Sequence, residues 1–234
     1  MREVHKCLGT VAYLGGLMAL PEAFCWAWGN LREFNMQFVC APGEMIHYTR
    51  SAFSLHAHAR NALCQEMQGE FLLMLDTDVL VEPDALLKLL HIMKTYNAPV
   101  VSAIYRHKAL PHHGMLWNWV EQDGGFRPLV LHDPHAPCFR VDAVGAGCLL
   151  IHQTALKRLR ETFPDEEPFD HTGKYGEDMS FCLRLRQAGI PLYATPQVEA
   201  VHLMARGVTD ELYVDNWYPG QYETEVGVPK AVER

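Results

Sequence analysis

The sequence predicts an α/β protein: a mostly parallel central sheet flanked by helices, with an inserted loop or hairpin region after residue 104. Three observations predict it. Up to residue 104, apolar runs of strand length alternate with amphipathic stretches of helical period, the pattern of parallel strands covered by helices. One run, Phe71-Leu72-Leu73-Met74-Leu75, is apolar throughout, as a strand buried on both faces should be. It ends in Asp76-Thr77-Asp78 and so delivers two carboxylates to the C-terminal edge of the sheet, where open α/β sheets bind ligands.

Each element follows in order. Residues 9–14 read as a first strand. Arg2 and Lys6 before the apolar stretch 8–20 resemble a signal peptide in outline, but Gly15 and Gly16 interrupt it and Pro21-Glu22 follow. A core strand and a loop are therefore expected there. Pro21 opens a helix over 22–34, since proline suits the helix start. Residues 36–40 read as a second strand and Pro42-Gly43 as a turn. Thr49 or Ser51 is placed to cap a helix running to about residue 67, ended by Gly69.

After the strand 71–75, Leu86, Leu87, Leu89, Leu90 and Met93 mark an amphipathic helix over 82–96, and 99–104 is another buried strand. Residues 105–137 hold histidines, prolines, Gly124-Gly125, Trp117 and Trp119. They predict irregular structure or a β-hairpin over one side of the sheet. Strand character returns over 140–152, around Gly145-Ala146-Gly147. A helix over 153–162, an acidic loop over 165–174 and a helix over 176–188 follow, then short strands at 192–194 and 198–201. Residues 204–234 read as a polar tail.

Composition narrows the function. At 234 residues and 49% hydrophobic, the chain supports one large domain with a full core. A net charge of −8 argues against broad binding to nucleic acid. The seven cysteines are scattered and form no C-x-x-C pair, which reads as small buried hydrophobes in a reducing compartment. No apolar run reaches the roughly 20 residues of a membrane span, so a soluble, cytoplasmic protein is expected. His56 and His58 lie two apart on a helix and do not share a face. His112-His113, His132 and His135 lie in loop segments, with no cysteine or carboxylate at zinc-site spacing.

Three signals carry the chemistry: Asp76-Thr77-Asp78, then Gly176-Glu177-Asp178 opening a helix, then His202 after a strand. Two acids at one strand edge repel unless a cation lies between them. Oxygen ligands suit Mg²⁺ or Mn²⁺. Alone, an acidic pair at a helix start is an ordinary interaction with the helix dipole.

In this order, and with Ala59-Arg60-Asn61, Gly145-Ala146-Gly147-Cys148-Leu149-Leu150 and Tyr175-Gly176-Glu177-Asp178 through Arg184, the sequence resembles GT-A fold glycosyltransferases, those of family two in particular. The resemblance spans roughly residues 8–203 and implies one GT-A (Rossmann-like) domain. Its nucleotide-sugar-binding part would run over about 8–104 and its acceptor-side part over about 105–203. Relatives carry a Pro-Thr-Tyr-Asn-like segment after the first strand, where this chain has Ala19-Leu20-Pro21-Glu22.

The resemblance implies roles. Asp76, Asp78 and His202 would hold the metal, with Asp78 the direct ligand and Asp76 acting through water or on the ribose. The imidazole favours Mn²⁺ over Mg²⁺. The co-substrate would be a nucleotide-diphosphate sugar, with a UDP-sugar favoured. Asp178 would be the general base of an inverting reaction, with Glu177 positioning the acceptor or a loop. Arg60 would pair with donor phosphate. Gly145, Ala146 and Gly147 would let the sugar approach the backbone.

A glycan or small-molecule acceptor ranks ahead of a hydroxymethylated DNA base. The DNA reading needs a local groove from Arg106, Lys108, Arg127 and Arg140. Trp117, Trp119, Trp217 and Tyr218 are either stacking platforms or rim packing. A sugar-nucleotide pyrophosphorylase would need a basic Gly-rich loop after the first strand, and residues 12–20 hold no basic residue. A non-catalytic sugar- or nucleotide-binding module is the reading from a different class.

Overall fold

The computed structural model describes residues 6–15, 20–51, 55–108, 113–129, 136–205 and 212–215. Ala19, His112, His132, His135, Trp217 and Tyr218 lie outside the described residues, as does most of the expected tail.

In chain order the first elements are β1 (Lys6–Leu14), α1 (Glu22–Phe38), β2 (Glu44–Ser51), α2 (His56–Glu66), β3 (Phe71–Asp76), β4 (Val79–Val81), α3 (Ala85–Thr95) and β5 (Val100–Ala103). Then come β6 (Leu116–Val120), β7 (Gly125–Pro128), β8 (Phe139–Val141), β9 (Ala143–Val144), β10 (Cys148–His152), α4 (Gln153–Thr162) and α5 (Glu177–Gln187). The last are β11 (Leu192–Thr195), β12 (Ala200–Ala205) and β13 (Leu212–Asp215).

The central sheet runs β2-β1-β3-β10-β5-β11-β8. Strands β1, β2, β3, β5 and β11 share one direction, and β10 and β8 run against it. The sheet is mostly parallel, as expected. Strand β3 lies near its middle, and its period of two divides its side chains between two cores. Leu72 and Met74 join Leu63, Leu156, Phe181 and Leu185 under α2, α4 and α5. Phe71, Leu73 and Leu75 join Phe24, Leu31, Leu86 and Leu89 under α1 and α3. Burial of each such side chain contributes on the order of 1.5–3 kcal/mol.

Two elements differ from the sequence reading. Residues 36–38 continue α1 rather than forming a strand: the helix buries Phe24, Leu31 and Asn35, and its last turn leaves Met36 and Phe38 exposed to solvent instead of placing them in a sheet. The second strand is residues 44–51 and replaces the expected start of the next helix. It pairs in parallel with the whole of β1. Gly69 turns the chain from α2 into β3 at φ 77°, and a Cβ there would meet the Gly9 nitrogen at 2.4 Å. Both the conformation and the close approach require glycine.

Outside the main sheet, β6 and β7 form the expected hairpin, joined by β9. The region expected as a polar tail contains β13, which pairs antiparallel with β12, and β12 pairs antiparallel with β4. This pairing sets His202 opposite Val79. Among the described residues no helix is long and apolar enough to cross a membrane.

Candidate active site

Two groups of polar side chains converge at the C-terminal end of β3. The first is organised by Arg60, on the buried face of α2 and 2% exposed. Its Nη2 donates to both Asp76 carboxylate oxygens, at 2.9 and 3.1 Å, and its Nη1 donates to the Ala146 carbonyl at 3.1 Å. Its Nε lies 3.6 Å from Glu177 Oε1. A buried charge is tolerated only when partnered, and here one guanidinium serves two carboxylates from β3 and α5. Burial alone would lower the Arg60 pKa, but Asp76 and Glu177 outweigh it and the pKa is raised.

Asp178 follows Glu177 at the start of α5, where the helix dipole favours negative charge. Its Oδ1 accepts the Met179 N–H at 2.7 Å. Burial, and then the neighbouring Glu177 charge, hold the Asp178 carboxyl above its usual range. A carboxylate raised in this way is a stronger base.

The second group is Asp78 with His202. The Asp78 carbonyl accepts the Leu203 N–H at 2.7 Å, which ties the two segments together. His202 Nδ1 lies 2.7 Å from the Arg106 carbonyl oxygen. A carbonyl only accepts, so Nδ1 carries a proton, and in the neutral imidazole Nε2 keeps its lone pair. That nitrogen faces Asp78 Oδ2 at 3.8 Å. The same oxygen pairs with the Lys108 ammonium. Burial raises the Asp78 pKa, but the neighbouring His202 imidazole and the Lys108 ammonium overcome this and hold it well below the ordinary carboxylate range.

Tyr105 was invisible to pattern reading and sits at the centre of this arrangement. It is 2% exposed, and its Oη accepts the Gly147 N–H at 2.7 Å. Its ring packs edge-on against His202 at 5.2 Å between centroids. A Cβ at Gly145 or Gly147 would lie 2.5 or 2.7 Å from that hydroxyl. The room these glycines were expected to leave for a sugar is thus filled by Tyr105, and the turn they form orients Asp76, whose N–H donates to the Gly147 carbonyl at 2.9 Å. An apolar strand running into Tyr105 carried no sequence signal for this role.

The expected site residues therefore sort as follows. Asp76, Arg60, Ala146 and Glu177 are joined directly, and Asp78 is joined to His202. Arg60, expected against donor phosphate, is instead committed to protein partners. Asp76, expected beside Asp78 on a metal, is turned to Arg60. Among the described residues no group of three His, Cys, Asp or Glu side chains is arranged to hold a metal ion. The donors that do face each other, one carboxylate oxygen and one imidazole nitrogen, are of a kind that would hold a divalent ion such as Mn²⁺ if phosphate and water supplied its other ligands.

Sequence reasoning also missed the clamp behind Glu177. Arg184 donates through Nε to Glu166 at 2.9 Å, and Asn61 Nδ2 donates to Asp170 Oδ1 at 2.9 Å. Together they fasten the acidic loop, expected as irregular, between α2 and α5. All seven cysteines are free; Cys64, Cys148 and Cys182 are the buried small hydrophobes expected, whereas Cys25 is exposed and Cys7, Cys40 and Cys138 are half-buried, and burial pushes Cys64 and Cys148 up to about 12.

Comparison with known proteins agrees with this architecture. Residues 37–140 match the profile of Glycosyl transferase family 2. The solved structure of A197 from STIV superposes with a TM-score of 0.56 at 15% identity, over 92% of this chain and 97% of that one. The structure of GalNAc-T7 with UDP, GalNAc and Mn²⁺ gives a TM-score of 0.54 at 14% identity, over 82% of this chain. The chain spans 42% of the length of that GalNAc-T7 chain. No curated protein sequence matches the chain. The fold is a GT-A fold.

Proposed function

We propose that the chain is a metal-dependent glycosyltransferase that moves a sugar from a nucleotide-diphosphate sugar, preferably a UDP-sugar, to an acceptor hydroxyl with inversion. The observation that carries this reading is the Asp78–His202 pair at the edge of β3, together with a half-buried carboxylate of raised pKa at the start of α5. The family match over residues 37–140 and the GT-A fold support it. The GalNAc-T7 structure with UDP and Mn²⁺ supports the choice of nucleotide and metal.

Asp78 and His202 would hold the metal, which supplies positive charge against the charge growing on the departing diphosphate. Asp178 takes the proton of the acceptor hydroxyl as that oxygen bonds to the anomeric carbon. The bond from that carbon to the diphosphate oxygen breaks, and its electron pair leaves with the nucleotide. Attack from the face opposite the leaving group inverts the anomeric centre. Glu177, held by Arg60, fixes the start of α5 and so the direction of the Asp178 carboxylate. Asp76, held in the same way, presents the end of β3 to the donor ribose. A net charge of −8 favours a glycan or small-molecule acceptor over DNA.

The test is a thermal-shift panel of UDP-, GDP-, CDP- and dTDP-sugars, each with Mn²⁺ and with chelator. Binding to the folded state raises the melting temperature. A shift for one nucleotide that needs metal and vanishes in Asp78→Ala is expected. Absence of any shift would leave the non-catalytic module as the reading.

A further inference from the structure

We infer that Lys108 is the diphosphate-binding cation of the donor site, holding Asp78 in the metal-free protein and passing to the donor once a divalent ion takes that carboxylate. The inference rests on the donor site proposed above and adds a residue to it. Three observations carry it.

First, the Lys108 ammonium and His202 Nε2 address the same atom, Asp78 Oδ2, with the imidazole nitrogen at 3.8 Å. An ion bound between Asp78 and His202 must take the oxygen that Lys108 holds. Two cations competing for one carboxylate oxygen repel, so the flexible one yields. Second, Lys108 is built to move from a fixed base. Its side chain is 44% exposed. The backbone before it is anchored, since the Arg106 carbonyl holds His202 Nδ1 and the His107 N–H donates to the His113 carbonyl at 2.8 Å. A lysine ammonium on a four-carbon stem can change partners without backbone movement. Third, the Arg60 guanidinium is buried and already engaged by Asp76, Ala146 and Glu177. A diphosphate carries more negative charge than one divalent ion neutralises, and a lysine point charge is a standard phosphate partner.

The experiment measures binding, not turnover. Mn²⁺ affinity is read from the electron paramagnetic resonance signal of free Mn²⁺ for wild type, Lys108→Met and Asp78→Asn. Binding of the manganese–inorganic diphosphate complex is then read by calorimetry, so that no nucleotide has to be chosen. Lys108→Met should bind Mn²⁺ alone about threefold more tightly, the scale of a partly exposed ion pair. The same variant should bind the manganese–diphosphate complex about tenfold more weakly, the scale of one charge-assisted hydrogen bond. Lys108→Arg should keep wild-type behaviour in the second measurement to within about threefold.

Opposite signs in the two measurements establish the exchange. Equal affinities for wild type and Lys108→Met in both, with Mn²⁺ binding still lost in Asp78→Asn, overturn this inference and leave the donor-site reading standing. Changes of the same sign in both overturn it too. No Mn²⁺ binding by wild type or by Lys108→Met overturns the inference and the metal site together. Unchanged circular dichroism spectra verify that each variant is folded.

Discussion

Tyr105→Phe removes one oxygen atom and nothing else. The ring stays against His202, and the variant adds no volume to a core in which Tyr105 is 2% exposed. The lost oxygen is the acceptor for the Gly147 N–H at 2.7 Å. A buried donor left without a partner costs about 1–3 kcal/mol. For a domain of this size that corresponds to a fall in Tm of roughly 2–12 °C.

The assay is urea unfolding followed by circular dichroism, with the midpoint expected to move and the slope to stay constant. A second substitution makes the reasoning stricter. Gly145→Ala places a Cβ 2.5 Å from the Tyr105 hydroxyl and 2.8 Å from Met115 Cε. The first contact disappears in the Tyr105→Phe background, and the second is with the end of a flexible side chain. The double variant should therefore lose less stability than the two singles summed, by about 0.5–3 kcal/mol. Wild-type stability for Tyr105→Phe, or strict additivity in the cycle, would refute the idea that this hydroxyl shapes the turn behind Asp76.

Three further variants concern the charged groups. Asp178→Asn should lower kcat by about 10²–10⁴ while leaving the metal-dependent thermal shift with donor intact. Because the folded-state pKa of Asp178 is raised, its ionisation opposes folding as pH rises through that value. Asp178→Asn should therefore gain stability relative to wild type at neutral pH and lose that gain below the unfolded value near 3.9; a pH series of urea midpoints checks the sign. Arg60→Met leaves Asp76 and Glu177 without their shared cation and should cost about 3–5 kcal/mol at neutral pH, read as a fall in the unfolding midpoint. His202→Ala should weaken Mn²⁺ binding at least about tenfold in the resonance measurement, and unchanged affinity would make His202 structural.

The local part of this protein was legible in its sequence. Five consecutive apolar residues before Asp76 leave little choice but a strand buried on both faces. Pro21 by its fixed φ and Gly69 by its freedom to take a positive φ punctuate the elements, and the leucines of 85–95 repeat at helical spacing. These are short-range effects, decided by residues a few positions apart. Residues 36–51 escaped the same logic because their apolar content fits either element. Pairing with the full length of β1 made 44–51 a strand, and long-range pairing leaves no local mark.

The site shows the same division. Sequence order supplied Asp76, Asp78, Asp178 and His202, since acids at a strand end and at a helix start mark themselves. Which of them face each other was decided by tertiary structure. A pairing of β12 with β4 brings His202 to Asp78 across 124 positions of sequence. The buried Arg60 draws Asp76 towards Glu177 and away from Asp78, because a desolvated guanidinium must find its counter-charges nearby. Tyr105 and Lys108 belong wholly to the folded state: a hydroxyl under a glycine turn and an ammonium on a distant carboxylate become meaningful only when the sheet has set their partners beside them.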